Sequence, residues 1–456
     1  MIEAEVAPAP RGLSPRVRSG LGWSTAGRFV ALPAGAAVNI LVARALPPTD
    51  VGAYFVIVNL VSIVALISML GLNQAVVRGV SEAMTRGRAA AAGAVVRTSL
   101  RITALVSIAF GIVYLLTGHA IGQQVFGSAT IADATPWIAV FIPLTAVRLL
   151  VPEAFRGFSD IKWATILGDA ATNVTLAIAL AAIVVGGWQT SLTQVLVVSV
   201  ALAAVLVVLS LGRLRDRVRP LGIAPGNARA LLWIALPLLA TNLSWNLMVQ
   251  IDTILLGAFR SGADVAYYVA GARLASLLLV PLLIGMSFLA PLITELWTQQ
   301  RFHDLERLLR TTSGATGLAS GIGLVFLILL GPWALTFLFG DYYSRGSTVL
   351  IVLAASCFLT SMGGYSGLAL MMAGEQMAAM LITIFVAVVT IAGTAVAADT
   401  AGAVGVSIAI ACGVTLQNVL TLIVVRTRLG IWAYPSLRGL RAPVTSLLAS
   451  TRRRRR

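Results

Sequence analysis

Charged and polar side chains inside apolar stretches are the residues of this sequence best placed to do chemistry. Arg273 stands about eight residues into an apolar stretch that runs from 265 to 291. A helix rises 1.5 Å per residue, so Arg273 would lie roughly 12 Å along the span. An arginine at mid-bilayer costs from about 2.5–3.5 to above 10 kcal/mol, and such residues normally face a cavity or a partner. Arg273 is therefore predicted either to bind an anion or to extend its guanidinium to the membrane surface.

Other polar residues in apolar stretches extend this candidate site. Arg28 lies near the start of the first stretch, and Asn39, eleven residues later, faces nearly the same way on an ideal helix. Asn242, Asn246 and Gln250 recur every four residues in a later stretch. This polar stripe suits either a binding cavity or hydrogen bonds between helices.

Two acidic residues, Asp252 and Asp169, also fall near the ends of apolar stretches. Each could carry a proton or bind Na⁺, which would couple the protein to an ion gradient. Each could equally be a helix-end residue paired with a neighbouring arginine. The sequence leaves both interpretations open.

Catalysis and metal binding find little support in the sequence. The two histidines are far apart and the two cysteines lie in apolar stretches, so neither the spacing of a metal site nor a disulfide framework is present. No nucleotide-binding loop occurs either. We therefore expect no catalytic residues, no metal and no cofactor.

Twelve apolar stretches must position these residues. The chain is 58% hydrophobic and only 11% charged, against about 25% charged residues in an average soluble domain. Since a membrane helix needs roughly 20 apolar residues, the 456 residues allow about twelve spans with short loops. The stretches fall near 21–43, 51–77, 98–117, 134–152, 163–185, 192–212, 230–256, 265–291, 313–338, 347–372, 376–397 and 403–425.

The distribution of basic residues predicts the orientation of the chain. Of 33 lysines and arginines, 29 belong to one set of alternating connections and ends, 3 to the other set, and one is Arg273. Because basic residues favour the cytoplasmic side, both ends are expected in the cytoplasm. The net charge of +16 is thus explained without nucleic acid. The arginine-rich end at 426–456 is expected to be solvated or to bind lipid phosphates.

An internal repeat divides the predicted spans into two halves. Residues 40–77 align with 254–291 at an offset of 214 without gaps, and the offset is 213 further on. Gly71 then meets Gly285, and Asp50 meets Asp264. The predicted organisation is an N-terminal segment (1–20), a six-helix bundle (21–212), a basic linker (213–229), a second six-helix bundle (230–425) and the basic tail. Halves with six spans each have the same orientation, as in transporters whose halves rock around a central site.

The repeat also relates the polar residues to one another. At the offset of 214, Arg28 matches Asn242 and Asn59 matches Arg273. Equivalent depths in the two halves predict that these four residues face one central cavity. Such a cavity would be cationic and would suit an anionic substrate.

Several runs of residues resemble the polysaccharide-export flippases of the multidrug/oligosaccharidyl-lipid/polysaccharide (MOP) superfamily. They are the run from Leu41 to Tyr54, then Gly71-Leu72 and Arg78, the run from Gln250 to Gly257, and the run from Asp264 to Tyr268. The resemblance covers most of residues 20–425. It implies an all-α membrane protein of two six-helix bundles that form a V in the bacterial cytoplasmic membrane.

The resemblance also implies a function. The substrate would be an undecaprenyl-diphosphate-linked oligosaccharide, flipped by alternating access through a cavity lined by the first, second, seventh and eighth helices. Arg28 and Arg273 match the cavity arginines on which family members often depend. The resemblance further implies coupling to H⁺ or Na⁺ and contact with membrane lipids. It also implies that the protein works beside a polysaccharide polymerase and chain-length regulators.

Three other functions fit the sequence less well. A drug or metabolite antiporter of the same superfamily takes cations and generally relies on cavity acids, whereas this sequence offers more cavity arginines. A major-facilitator transporter usually has an Asp-Arg pair in a glycine-bracketed loop after its second span, and residues 78–88 lack one. A membrane glycan polymerase or ligase needs catalytic residues in a large outer loop, and the longest candidate, roughly 118–133, holds one His and one Asp.

Overall fold

The computed structural model describes residues 15–188, 190–222, 224–432 and 434, and all regular secondary structure in these ranges is helical. This confirms the predicted all-α class. The α-helices are α1 (Pro15–Ala45), α2 (Pro48–Ser68), α3 (Leu72–Thr85), α4 (Ala89–Gln124), α5 (Ala129–Asp133), α6 (Thr135–Gly157), α7 (Ile161–Thr165), α8 (Ala171–Val185), α9 (Leu192–Val218), α10 (Ala228–Phe259), α11 (Gly262–Ser276), α12 (Val280–Thr298), α13 (Phe302–Phe339), α14 (Ser347–Gly363), α15 (Ser366–Met372) and α16 (Gln376–Val424).

The described helices show that this is a multi-pass membrane protein. Within the described ranges, nine helical segments are long and apolar enough to cross a bilayer, and three shorter apolar helices accompany them. Large apolar side chains on these helices are widely exposed, for example Leu116 on α4 (79%) and Leu329 on α13 (72%). Lipid is the solvent in which such surfaces are stable. The total of twelve spans stays a prediction.

Breaks in the helices can be compared with the limits of the predicted spans. The stretch 51–77 is interrupted, because Leu70 and Gly71 adopt left-handed backbone angles and α3 starts afresh at Leu72. The stretches 376–397 and 403–425 correspond to the two parts of α16, which meet at a kink at Gly402, whose φ of 59° is not helical. Arg260 stabilises this break, since its Nε donates to the Ala398 carbonyl oxygen at 3.0 Å and its Nη2 donates to the Asp399 carbonyl oxygen.

Side chains cap the starts of α9 and α11. Ser191 and Gln194 form a reciprocal capping box at the start of α9, which satisfies backbone N–H groups that the first turn leaves unpaired. Ser261 caps α11 by accepting from the Asp264 backbone N–H at 3.3 Å. This cap fixes the start of the helix that carries Arg273.

The chain separates into two compact units. The first comprises Met1–Ala45, Val64–Ala120 and Ala132–Ala240. In it α1 packs on α8, while α6 packs on α3 and α9. A π-helical turn at Ile166–Ala170 joins α7 to α8, and Gly168 departs there from helical backbone angles.

The second unit comprises Leu46–Ile63, Ile121–Ile131 and Thr241–Arg456. In it α14 packs on α11, α13 and α16. A 3₁₀ turn at Leu277–Leu279 separates α11 from α12. The limits of the two predicted six-helix bundles, 21–212 and 230–425, derive from the sequence repeat and not from compactness. These limits stay a prediction.

The starts and ends of several helices are related by the same offsets as the internal sequence repeat. Pro48 begins α2 and Gly262 begins α11, 214 residues apart, and Ala45 and Phe259 end α1 and α10 at the same offset. Ala89 and Phe302, which begin α4 and α13, are 213 residues apart. The offsets that align the sequence therefore also relate the starts and ends of helices.

Candidate functional site

A cluster of polar side chains in the second unit joins α10 to α11. Tyr268 on α11 donates its hydroxyl to Asp252 Oδ2 on α10 at 2.6 Å. The backbone N–H and the hydroxyl of Thr253 donate to Asp252 Oδ1 at 2.6 Å and 3.2 Å. Each carboxylate oxygen of Asp252 thus has at least one donor, which is what a charge inside a membrane segment requires.

Arg273 lies on the same helix as Tyr268 and interacts electrostatically with Asp252 and Tyr54. Its side chain is exposed in the structure. Within the described ranges, its guanidinium donates no hydrogen bond and forms no salt bridge within 4.0 Å. Arginine carries five N–H donors in a planar fork that matches phosphate oxygens. Arg273 can therefore bind an anion.

Asn242, Asn246 and Gln250 form a ladder along α10. Asn246 donates to the Asn242 carbonyl oxygen at 2.9 Å, and Gln250 donates to Asn246 Oδ1 at 3.3 Å. The buried Asn242 Nδ2 has no partner among the described residues. The ladder ends within two residues of Asp252, so α10 carries polar side chains from Asn242 to Asp252.

The remaining predicted residues are distributed over both units. Asn59, in the second unit, is buried in α2 with 8% of its surface exposed. Asn39, in the first unit, donates to the Gly35 carbonyl oxygen of its own helix at 2.8 Å. Arg28 belongs to α1, but its side chain lies outside the described residues. Its predicted place in a common cavity stays a prediction.

Sequence reasoning missed Arg148, which the charge count grouped with a connection. The structure places it inside α6 of the first unit, with a side chain only 15% exposed. Its Nη1 donates to Thr172 Oγ1 at 2.9 Å and lies 3.8 Å from Asp169 Oδ1. Its position inside the apolar stretch 134–152 was the signal that could have singled it out.

The geometry around Asp169 gives a first testable expectation. Asp169 sits on the π-helical turn with a side chain 77% exposed, whereas its partner Arg148 is 15% exposed and also donates to Thr172. Because water screens the exposed carboxylate, the ion pair contributes only about 0–1 kcal/mol. We expect Asp169→Asn to keep the flipping activity that the family resemblance implies within about twofold of wild type. Flipping is measured in membrane vesicles with and without an ion gradient.

A matched control for Asp169→Asn is Glu82→Gln, which removes another carboxylate paired with an arginine, Arg86, at 2.9 Å. Loss of the gradient dependence in Asp169→Asn alone would instead make Asp169 an ion-coupling residue.

The described residues contain no group of three or more His, Cys, Asp or Glu side chains that could hold a metal ion. The polar side chains that cluster are amides, hydroxyls, one carboxylate and one guanidinium. Such groups suit recognition of a polar, charged ligand by hydrogen bonds.

The fold defines the class of the protein. The structure matches an inward-facing multidrug resistance MATE family transporter of the MOP superfamily with a TM-score of 0.72 at 15% identity, over 89% of this chain and 98% of that chain. It matches the lipid II flippase MurJ in an inward closed conformation with a TM-score of 0.67 at 13% identity, over 88% and 87%. It also matches a MOP superfamily transporter from Pyrococcus furiosus with a TM-score of 0.59 at 15% identity, over 91% and 95%. The chain therefore has the fold of MOP superfamily transporters.

Within that class, the sequence identifies the family. Residues 17–297 match the family described as polysaccharide biosynthesis protein, and the chain belongs to this family. Comparison with curated protein sequences found no match. The resemblance seen in the sequence is thereby confirmed for the family, and the fold is the one that MOP superfamily transporters have.

Proposed function

We propose that this protein flips an undecaprenyl-diphosphate-linked oligosaccharide from the cytoplasmic to the outer leaflet of the bacterial cytoplasmic membrane. The observation that supports this most directly is Arg273, an accessible guanidinium in a membrane helix that donates no hydrogen bond to a described residue. A diphosphate offers oxygens in the geometry that arginine binds with two parallel hydrogen bonds.

The chemistry of the substrate explains why a polar site inside the membrane is needed. Diphosphate and sugar hydroxyls cannot cross hydrocarbon unaided, because each loses its hydrogen bonds to water. In the proposal, Arg273 binds the diphosphate, and the amides of Asn242, Asn246 and Gln250 bind sugar hydroxyls. The prenyl chain stays in lipid. Alternating exposure of the site to the two sides moves the head group without breaking a covalent bond.

The alternative of a cation antiporter fits the contacts of the acidic residues less well. The Asp252 carboxylate already accepts from Tyr268 and Thr253, and the Asp169 carboxylate, although 77% exposed, lies 3.8 Å from the Arg148 guanidinium. A cation site would need carboxylates available to the ligand. These contacts support an anionic substrate.

Drive and partners belong to the proposal as well. No nucleotide-binding loop was found in the sequence, so transport would draw on an H⁺ or Na⁺ gradient, the membrane potential or consumption of the flipped product. A polysaccharide polymerase and chain-length regulators would be the functional partners. Both termini would lie in the cytoplasm, with the arginine-rich end, most of which lies outside the described residues, near anionic lipid.

A gene deletion in the host tests the proposed function. We expect undecaprenyl-linked oligosaccharide to build up on the cytoplasmic leaflet and to clear when the wild-type gene is returned. Leaflet location is measured by the accessibility of the glycan to a lectin in right-side-out and inverted vesicles. No build-up, together with altered sensitivity to cationic drugs, would replace the flippase by the antiporter.

A further inference from the structure

Two opposite charges lie near each other in α10 and α11 without pairing. Arg273 interacts electrostatically with Asp252, yet within the described ranges no salt bridge within 4.0 Å joins them. In surroundings of low dielectric constant, opposite charges attract strongly and form close pairs unless something opposes it. The contacts of Asp252 show what opposes it here.

The Asp252 carboxylate is held by donors on the two helices. Tyr268 binds Oδ2 at 2.6 Å, and Thr253 binds Oδ1 with both its backbone N–H and its hydroxyl. Tyr268 itself is 1% exposed, so packing fixes its ring and its hydroxyl. A short hydrogen bond to a carboxylate is about twice as strong as one between neutral groups. The carboxylate is therefore kept on the Tyr268 side.

We infer that Tyr268 is a positioning residue that holds Asp252 away from Arg273 and so keeps the guanidinium available to the phosphate groups of the substrate. This inference rests on the proposed function. Asp252 and the substrate's diphosphate compete for Arg273, and the Tyr268 hydroxyl decides the competition in favour of the substrate. Without that hydroxyl, Oδ2 of Asp252 has lost its donor and Arg273 replaces it.

The test uses the full-length protein in lipid nanodiscs, with undecaprenyl diphosphate as the binding probe and flipping in vesicles as a second readout. We expect Tyr268→Phe to weaken binding of the probe at least tenfold, because Arg273 then pairs with Asp252. Adding Asp252→Asn to Tyr268→Phe is expected to restore binding to within about threefold of wild type. Asparagine still accepts from Thr253 but cannot neutralise an arginine.

The control variant is Tyr343→Phe, which removes the hydroxyl of another tyrosine of the second unit that is 2% exposed. Its Oη has no partner among the described residues, so binding should not change. Wild-type binding by Tyr268→Phe, or a loss that Asp252→Asn does not rescue, would overturn the inference, because Tyr268 would then only join α10 to α11.

Two further variants keep the inference testable and separate it from the proposed function. Asp252→Asn alone is expected to bind the probe at least as tightly as wild type, and a tenfold loss would overturn the inference even if Tyr268→Phe failed to fold. Arg273→Ala tests the proposed site itself. If Arg273→Ala binds the probe normally, Arg273 has no role in the proposed function, and the inference about Tyr268 is refuted as well. If Arg273→Ala loses binding while Tyr268→Phe does not, the inference alone fails.

Discussion

Arg273→Ala is expected to reduce binding of undecaprenyl diphosphate by roughly a hundredfold and to stop flipping in vesicles. Hydrogen bonds to a charged group contribute about 1.5–3 kcal/mol each, and a guanidinium makes two of them with a phosphate. Since about 1.4 kcal/mol is a tenfold change in affinity, the loss of both bonds accounts for the expected effect. Binding is measured in nanodiscs and flipping by access of a lectin to the glycan.

Two further variants define what Arg273 contributes. Arg273→Lys keeps the positive charge but loses the planar fork, so its affinity should fall between those of wild type and Arg273→Ala. Arg345→Ala removes an arginine that already stacks on Tyr342 with 5.1 Å to the ring centroid, and should leave binding unchanged. Equal binding by wild type and a well-folded Arg273→Ala protein would remove Arg273 from the substrate site.

Gly71→Ala should destabilise the first unit, and more strongly than Gly87→Ala does. Gly71 has a φ of 79°, where a side chain costs about 1–2 kcal/mol. A Cβ at this position would also lie 2.8 Å from the Leu239 backbone nitrogen and still closer to the Ala235 carbonyl oxygen. Such overpacking adds about 1–3 kcal/mol. The measurement is the loss of monodisperse protein in detergent as temperature rises.

Gly87→Ala is the matched control for the effect of backbone conformation. Gly87 has a φ of 69°, but no atom lies within 4 Å of a Cβ built there. We therefore expect only the backbone cost of about 1–2 kcal/mol. If the two variants lost the same stability, the close approach of Gly71 to α10 would contribute nothing.

The sequence alone determined the class of fold, because few backbone conformations are stable in lipid. Backbone groups in hydrocarbon must bond within their own segment, so long apolar stretches with few charges form helices. The repeat was readable for a related reason: glycines and acidic residues near helix ends stand out against apolar sequence. The helices α1, α2 and α4 begin or end at the positions that the offsets of 213 and 214 relate to α10, α11 and α13.

The same reasoning located Arg273 but could not give its partners. Hydropathy measures what a residue costs in lipid, and an arginine inside an apolar stretch is conspicuous by that measure. Arg148 also lies inside an apolar stretch, but it was assigned to the connection that follows and was therefore not recognised as an intramembrane arginine. Its contacts with Thr172 and Asp169 arise from packing of separate segments.

Only the tertiary structure decided how the acidic residues are used. Asp252 and Tyr268 are 16 residues apart on two helices, and no periodicity within one helix relates them. Gly71 interrupts an apolar stretch through a backbone angle that hydropathy does not sense. Composition and spacing state which groups must find partners, whereas the packing of one helix on another determines which partner each group finds.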